Sequence, residues 1–147
     1  MSDRCPQDGG FIGDAGCTHP NHQHSELVRG IMSGEPKMLA PRDAVTALNE
    51  GFYVKNPEGN RVGFGKKLLA HIESHDDGDA NERKRRLMFA VRAVTNPDKV
   101  EKNHRGFDGR TLYTKAFTQF GMLAITEKDS DTIEYAFTIV PNRKGRK

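Results

Sequence analysis

The hydrophobic pattern of this chain changes period once, and that change restricts the fold more than any single motif. From Leu27 to Val94 apolar residues recur mainly every three or four positions, interrupted by one short strand pair. From residue 105 to Val140 they alternate. The first pattern is that of amphipathic helices and the second that of half-buried strands. Helices followed by hairpin-linked strands predict an α+β domain, with N-terminal helices packed on a C-terminal antiparallel meander. The expected strands are Thr111–Phe117, Met122–Thr126 and Thr132–Val140, with a turn at Asp129-Ser130-Asp131. At 147 residues the expected organisation is a Cys/His-rich segment over 1–24 followed by one domain over 25–147.

The helical half punctuates itself. His24–Gly34 reads as a short helix closed by Gly34, and Ala40–Gly51 as another with Pro41 in its first turn. Phe52–Lys55 and Arg61–Gly63 read as a strand pair around the turn Asn56-Pro57-Glu58-Gly59-Asn60. The following helix carries Phe64, Leu68 and Ile72 on one face and Lys67, His71 and His75 on a stripe beside it. A histidine on that border is held by packing yet faces a cleft, and the cation one turn back lowers its pKa or serves an anionic substrate. The longest helix is expected from Ala80 to Thr95, stopped by Asn96-Pro97-Asp98. Its cations Arg83-Lys84-Arg85-Arg86 point around more than half the circumference and read as a solvated end, paired partly with Glu82.

Residues 1–24 show no apolar periodicity but hold Cys5, Cys17, His19, His22 and His24. Two thiols with two of those imidazoles make a tetrahedral donor set for a structural Zn²⁺ that staples the segment. The Cys5–Cys17 gap matches no standard finger. Two cysteines make no disulfide framework, no secretory pattern opens the chain and no long apolar run is present. The expectation is therefore a cytoplasmic site of action, with no membrane partner.

Charge is uneven along the chain. Residues 1–75 carry 8 Lys+Arg against 9 Asp+Glu, and residues 76–147 carry 15 against 11, with Arg143 and Lys144 in a basic tail. That balance points to a polyanionic partner, with RNA or DNA first. Lys67, His75, Arg143 and Lys144 are the expected substrate contacts.

Arg110, Tyr113 and Lys115 fall within six residues on one strand, and Thr138 lies near the end of the last. If the His71 helix packs on that sheet, an imidazole, two cations, a phenol and a hydroxyl converge on one cleft. Metal-independent RNA cleavage uses such a set: groups that move protons at the 2′-hydroxyl and 5′-oxygen, and cations that hold the charge on the phosphate. Asp76, Asp77 and Asp79 read as a solvated loop, and Gly63-Phe64-Gly65 lacks the third glycine of a phosphate-cradling loop. No catalytic metal is expected.

Residues 52–140 resemble the barnase/EndoU/colicin/RelE-type (BECR) nucleases, most closely the phage-associated toxin modules. The likeness rests on Ala70-His71-Ile72, Asn96-Pro97-Asp98 and Gly109-Arg110-Thr111-Leu112-Tyr113-Thr114-Lys115 before three strands. It implies a metal-independent endoribonuclease on an α+β fold. His71 would be the general acid or base, Arg110 and Lys115 would bind the phosphate, Tyr113 would orient or share proton transfer, and Thr138 would supply the late-strand hydroxyl. RNA, tRNA included, and an immunity or antitoxin protein are the implied partners. The rival reading is a non-catalytic zinc-containing module that binds nucleic acid or protein.

Overall fold

The computed structural model describes residues 25–143 apart from 107, 119 and 130–132, and gives side chains for all of these except 77, 142 and 143. The proposed zinc donors Cys5, Cys17, His19, His22 and His24, and the tail residue Lys144, lie outside the described residues. Arg143 is described by its backbone alone.

Helix α1 (Glu26–Ser33) begins at Ser25, whose hydroxyl accepts the Val28 N–H at 3.2 Å. Helix α2 (Pro41–Glu50) opens on proline and stops at Gly51, where φ is +80° and a side chain would be strained. Strands β1 (Phe52–Lys55) and β2 (Arg61–Phe64) form the expected hairpin. Helix α3 (Lys66–Glu73) follows at once and buries Leu68, Leu69 and Ile72.

The expected helix over 80–95 is two helices, α4 (Asp77–Arg85) and α5 (Leu87–Thr95), with a break at Arg86. The Leu39 N–H takes the Arg85 carbonyl at 2.9 Å, and the Phe89 N–H bonds the Arg86 carbonyl instead. That substitution lets a polar surface helix give way to one that buries Leu87, Met88, Ala90, Val91, Ala93 and Val94.

Strands β4 (Arg110–Ala116), β5 (Phe120–Lys128) and β6 (Ile133–Arg143) are the expected antiparallel meander, but it is part of a larger sheet. The order is β1-β2-β6-β5-β4-β3, and β2 pairs with β6 in parallel. Strand β3 (Lys99–Lys102) escapes the alternation rule because all four of its residues are exposed. Its Lys-Val-Glu-Lys composition suits an uncovered edge.

One face of the sheet is covered. Phe52, Val54, Val62, Phe64, Tyr113, Met122, Ala124, Ala136 and Ile139 lie with the apolar sides of the helices in a single core. Phe52 and Phe64 stack with centroids 5.5 Å apart, and a fully buried Leu or Phe contributes roughly 1.5–3 kcal/mol. The opposite face carries Leu112, Leu123, Ile125, Tyr135 and Phe137, all only partly buried.

A bulge shapes that second face. Thr126 pairs with Ala136 but Ile125 pairs with Thr138, so β6 has one residue more than β5 between these points. Ala136 and Ile139 both face the core, and the extra residue turns both Phe137 and Thr138 away from it.

Candidate functional site on the open face of the sheet

Helix α3 lies along β6 beyond the end of β2, with its apolar side in the core and its Lys67–His71–His75 stripe at the margin of the open face. The His71 ring meets the Phe137 ring edge-on at 6.1 Å. The Arg110 guanidinium lies over the same Phe137 ring at 4.9 Å. Phe137 therefore brings together two groups that are 39 residues apart in sequence. Arg110 also directs Nε and Nη2 to Glu127 Oε2, each at 3.2 Å. Lys67 Nζ reaches the other oxygen of that carboxylate at 3.4 Å. The result is a line of imidazole, guanidinium, carboxylate and ammonium on one solvent-reachable surface.

Burial works against the charged form of Glu127, but hydrogen bonds and charge from Arg110 and Lys67 outweigh it and hold the carboxyl below its ordinary value. His71 is shifted down as well, first by burial and then by the charges of His75 and Arg83. It is thus a neutral imidazole near pH 7, able to accept a proton.

Behind His71 lies a second layer. His75 stands edge-on to it at 5.3 Å, and its Nδ1 is 3.3 Å from Asp79 Oδ2. Arg83 donates to the same Asp79 oxygen at 2.9 Å, to the Ile139 carbonyl at 2.7 Å and to Thr138 Oγ1 at 3.4 Å. Arg83 thus turns inward, away from the solvated run in which the sequence places it. Of its neighbours only Arg85 is the solvated cation expected, paired with Glu82. Lys84, paired with Glu73, is as little exposed as Arg83, and Arg86, also paired with Glu82, lies over the Phe120 ring.

The expected convergence of five groups is met only in part. His71 and Arg110 share the open face, with Lys67 beside them, and Thr138 sits next to Phe137 with its hydroxyl on Arg83. Tyr113 and Lys115 do not join them. Both are an odd number of residues from Arg110 on an unbroken strand, so their side chains leave the other face. Tyr113 is 1% exposed; it donates to Glu134 Oε1 at 2.7 Å and accepts from Asn56 at 3.0 Å. Burial foremost, with the Glu134 carboxylate beside it, pushes its phenol pKa up, which suits a fixed hydrogen-bonding group better than a proton carrier. Lys115 lies against Asp98 at 3.5 Å. His75 contacts the His71 ring, while its Nε2 is enclosed without a hydrogen-bond partner, so its place is behind the surface.

Glu127, Phe137 and Arg83 are the participants that sequence reasoning missed. Glu127 falls one residue past the expected end of its strand, and Phe137 reads as an ordinary alternating strand residue until the bulge is known.

Among the described residues no group of three or more His, Cys, Asp or Glu is arranged to hold a metal ion. No helix among them is long and apolar enough to cross a membrane. Compared with known proteins, the chain matches no family model, no curated protein and no solved structure.

Proposed function

We propose that the protein is a metal-independent endoribonuclease that cleaves RNA by attack of the 2′-hydroxyl on the adjacent phosphate. The observation that carries this reading is the shared contact of His71 and Arg110 with Phe137, with Glu127 and Lys67 alongside. Neutral His71 takes the 2′-hydroxyl proton, the 2′-oxygen bonds to phosphorus, and the bond to the 5′-oxygen breaks. Solvent, which reaches this face, protonates the leaving oxygen. Arg110 and Lys67 hold the charge that builds on the phosphate, and Glu127 keeps both cations in place. Among the described residues no helix covers this face of the sheet, which leaves it open to water and RNA.

The BECR-type resemblance of residues 52–140 supports the same reading. It also supports a toxin or effector setting, phage-encoded or delivered, with action in the cytoplasm and an immunity protein as a second partner. The structural zinc proposed for the segment 1–24 has no part in the chemistry.

The test is cleavage of total RNA by the pure protein in excess EDTA, with His71→Ala in parallel. The wild type should leave 2′,3′-cyclic phosphate ends. The variant should keep its fold and lose on the order of 10²–10⁴ in rate. Full activity in His71→Ala discards the proposal.

A further inference from the structure

The open face continues past Lys67 into a cleft of about 500 Å³ between the end of α2, the β2–α3 junction and β6. Asn49, Glu50, Gly63, Lys66, Lys67 and Tyr135 line it. Lys67 belongs to both places, since it lines the cleft while its amino group holds Glu127. A polyanion crossing Arg110 and Lys67 is thereby led to the mouth of the cleft.

The floor is aromatic and rigid. The Tyr135 ring stands edge-on to Tyr53 with centroids 5.7 Å apart, and the two phenols are hydrogen-bonded to each other. Gly63 lies beneath them; a Cβ there would come within 2.6 Å of both rings. Any other residue at 63 would displace the tyrosines, so the glycine keeps the aromatic floor intact. The lining charges balance, with Lys66 and Lys67 against Glu50 and Asp129. A balanced, aromatic-floored cleft of this size suits a neutral planar group better than a phosphate. The amide of Asn49 offers a donor and an acceptor at its wall.

Taking the proposed ribonuclease site as its starting point, we infer that this cleft receives one unstacked base of single-stranded RNA, seated against Tyr135 while the neighbouring phosphates lie on Lys67 and Arg110. A base within a duplex is stacked and paired and cannot enter, so the substrate is single-stranded. Stacking on an aromatic ring tolerates any base, which makes Tyr135 a subsite for strand form more than for sequence.

The chain has three tyrosines and no tryptophan, so its intrinsic fluorescence reports on them directly. Adding a short 2′-O-methyl oligonucleotide, which cannot be cleaved, to the wild-type protein should quench that emission. By anisotropy, Tyr135→Leu should weaken binding of the same single strand about tenfold or more, whereas Tyr135→Phe, which keeps the ring, should stay within about twofold. Lys66→Glu should weaken it as well, and a 2′-O-methyl duplex should bind all four proteins equally poorly. No binding by the wild type, no quenching, or equal loss in Tyr135→Phe and Tyr135→Leu overturns the inference. His71→Ala separates the two claims, because it should bind the oligonucleotide normally while failing to cleave RNA. Cleavage unaffected by His71→Ala ends the catalytic reading alone, and unchanged binding in a folded Tyr135→Leu protein ends this one alone.

Discussion

Two glutamates, Glu127 on β5 and Glu134 on β6, stand seven residues apart on the strands of one hairpin and face opposite sides of the sheet. Glu134 is 5% exposed and among the described residues accepts from neutral donors: Tyr113 at 2.7 Å, Thr126 at 2.8 Å and Asn56 at 3.3 Å. Glu127 is part-exposed and meets two cations, Arg110 and Lys67. Neutral donors around a buried carboxylate tie the β1–β2 turn, β4, β5 and β6 together, and removing the carboxylate leaves the Tyr113 and Thr126 hydroxyls without their acceptor. Cations around an exposed carboxylate give little stability, because water screens the pair, but they can also bind an arriving phosphate. The same kind of side chain thus serves the fold on one face and, on the proposed function, a ligand on the other, and the pleat of the strands decides which.

The sharpest way to break that comparison is to truncate both. Glu134→Ala takes the acceptor from the buried Tyr113 and Thr126 hydroxyls, while Asn56 keeps its bond to Tyr113. Each stranded donor costs roughly 1–3 kcal/mol, so urea denaturation should show a loss of about 2 kcal/mol or more. Glu127→Ala should change stability by no more than about 1 kcal/mol. Its effect belongs in the cleavage rate, which should fall by an order of magnitude or more as Arg110 and Lys67 lose their common anchor. Equal destabilisation by the two variants would mean that the faces do not differ in kind.

The contrast between the faces was only half legible in the sequence. The helical stripe Phe64, Leu68 and Ile72 is buried as its spacing requires, and His71 lies at its border. The expected cleft put Arg110, Tyr113 and Lys115 together, although Arg110 is an odd number of residues from both and its side chain leaves the strand on the other face. What alternation lacked was the identity of the buried side, because Thr111, Tyr113 and Lys115 look like a polar face. Tyr113 belongs in the core because Asn56 and Glu134, 57 and 21 residues away, satisfy its hydroxyl there. The bulge at Phe137 and the parallel β2–β6 pairing are likewise products of long-range contact. No local pattern encodes that the strand after Lys55 returns to the side of Ile133.

A pH series sharpens the open face further. Burial and the nearby charges of His75 and Arg83 place the folded-state pKa of His71 below its ordinary 6.5. The unfolded chain therefore binds more protons as pH falls below 6.5, so stability is complete above that value and declines beneath it. Cleavage should follow the same group, with the acid limb of its rate profile centred below 6.5. His71→Asn should flatten the stability decline in that window. A rate that instead falls as pH rises through this window would show that the protonated ring is the working form and would reverse the role given to His71.

The smallest effect is expected on the covered face. Tyr113→Phe keeps the ring in the core and removes one hydroxyl, which leaves Glu134 a donor short and should cost about 1 kcal/mol. Cleavage per folded molecule should not change, because no atom of Tyr113 reaches the open side. Lys115→Ala should behave alike in the rate assay, since its ammonium lies against Asp98. Measuring both at a temperature where each variant is fully folded keeps stability out of the rate. If Tyr113→Phe lowered kcat as far as His71→Ala does, chemistry would have to pass through the sheet, and the division of labour between Glu127 and Glu134 could not stand.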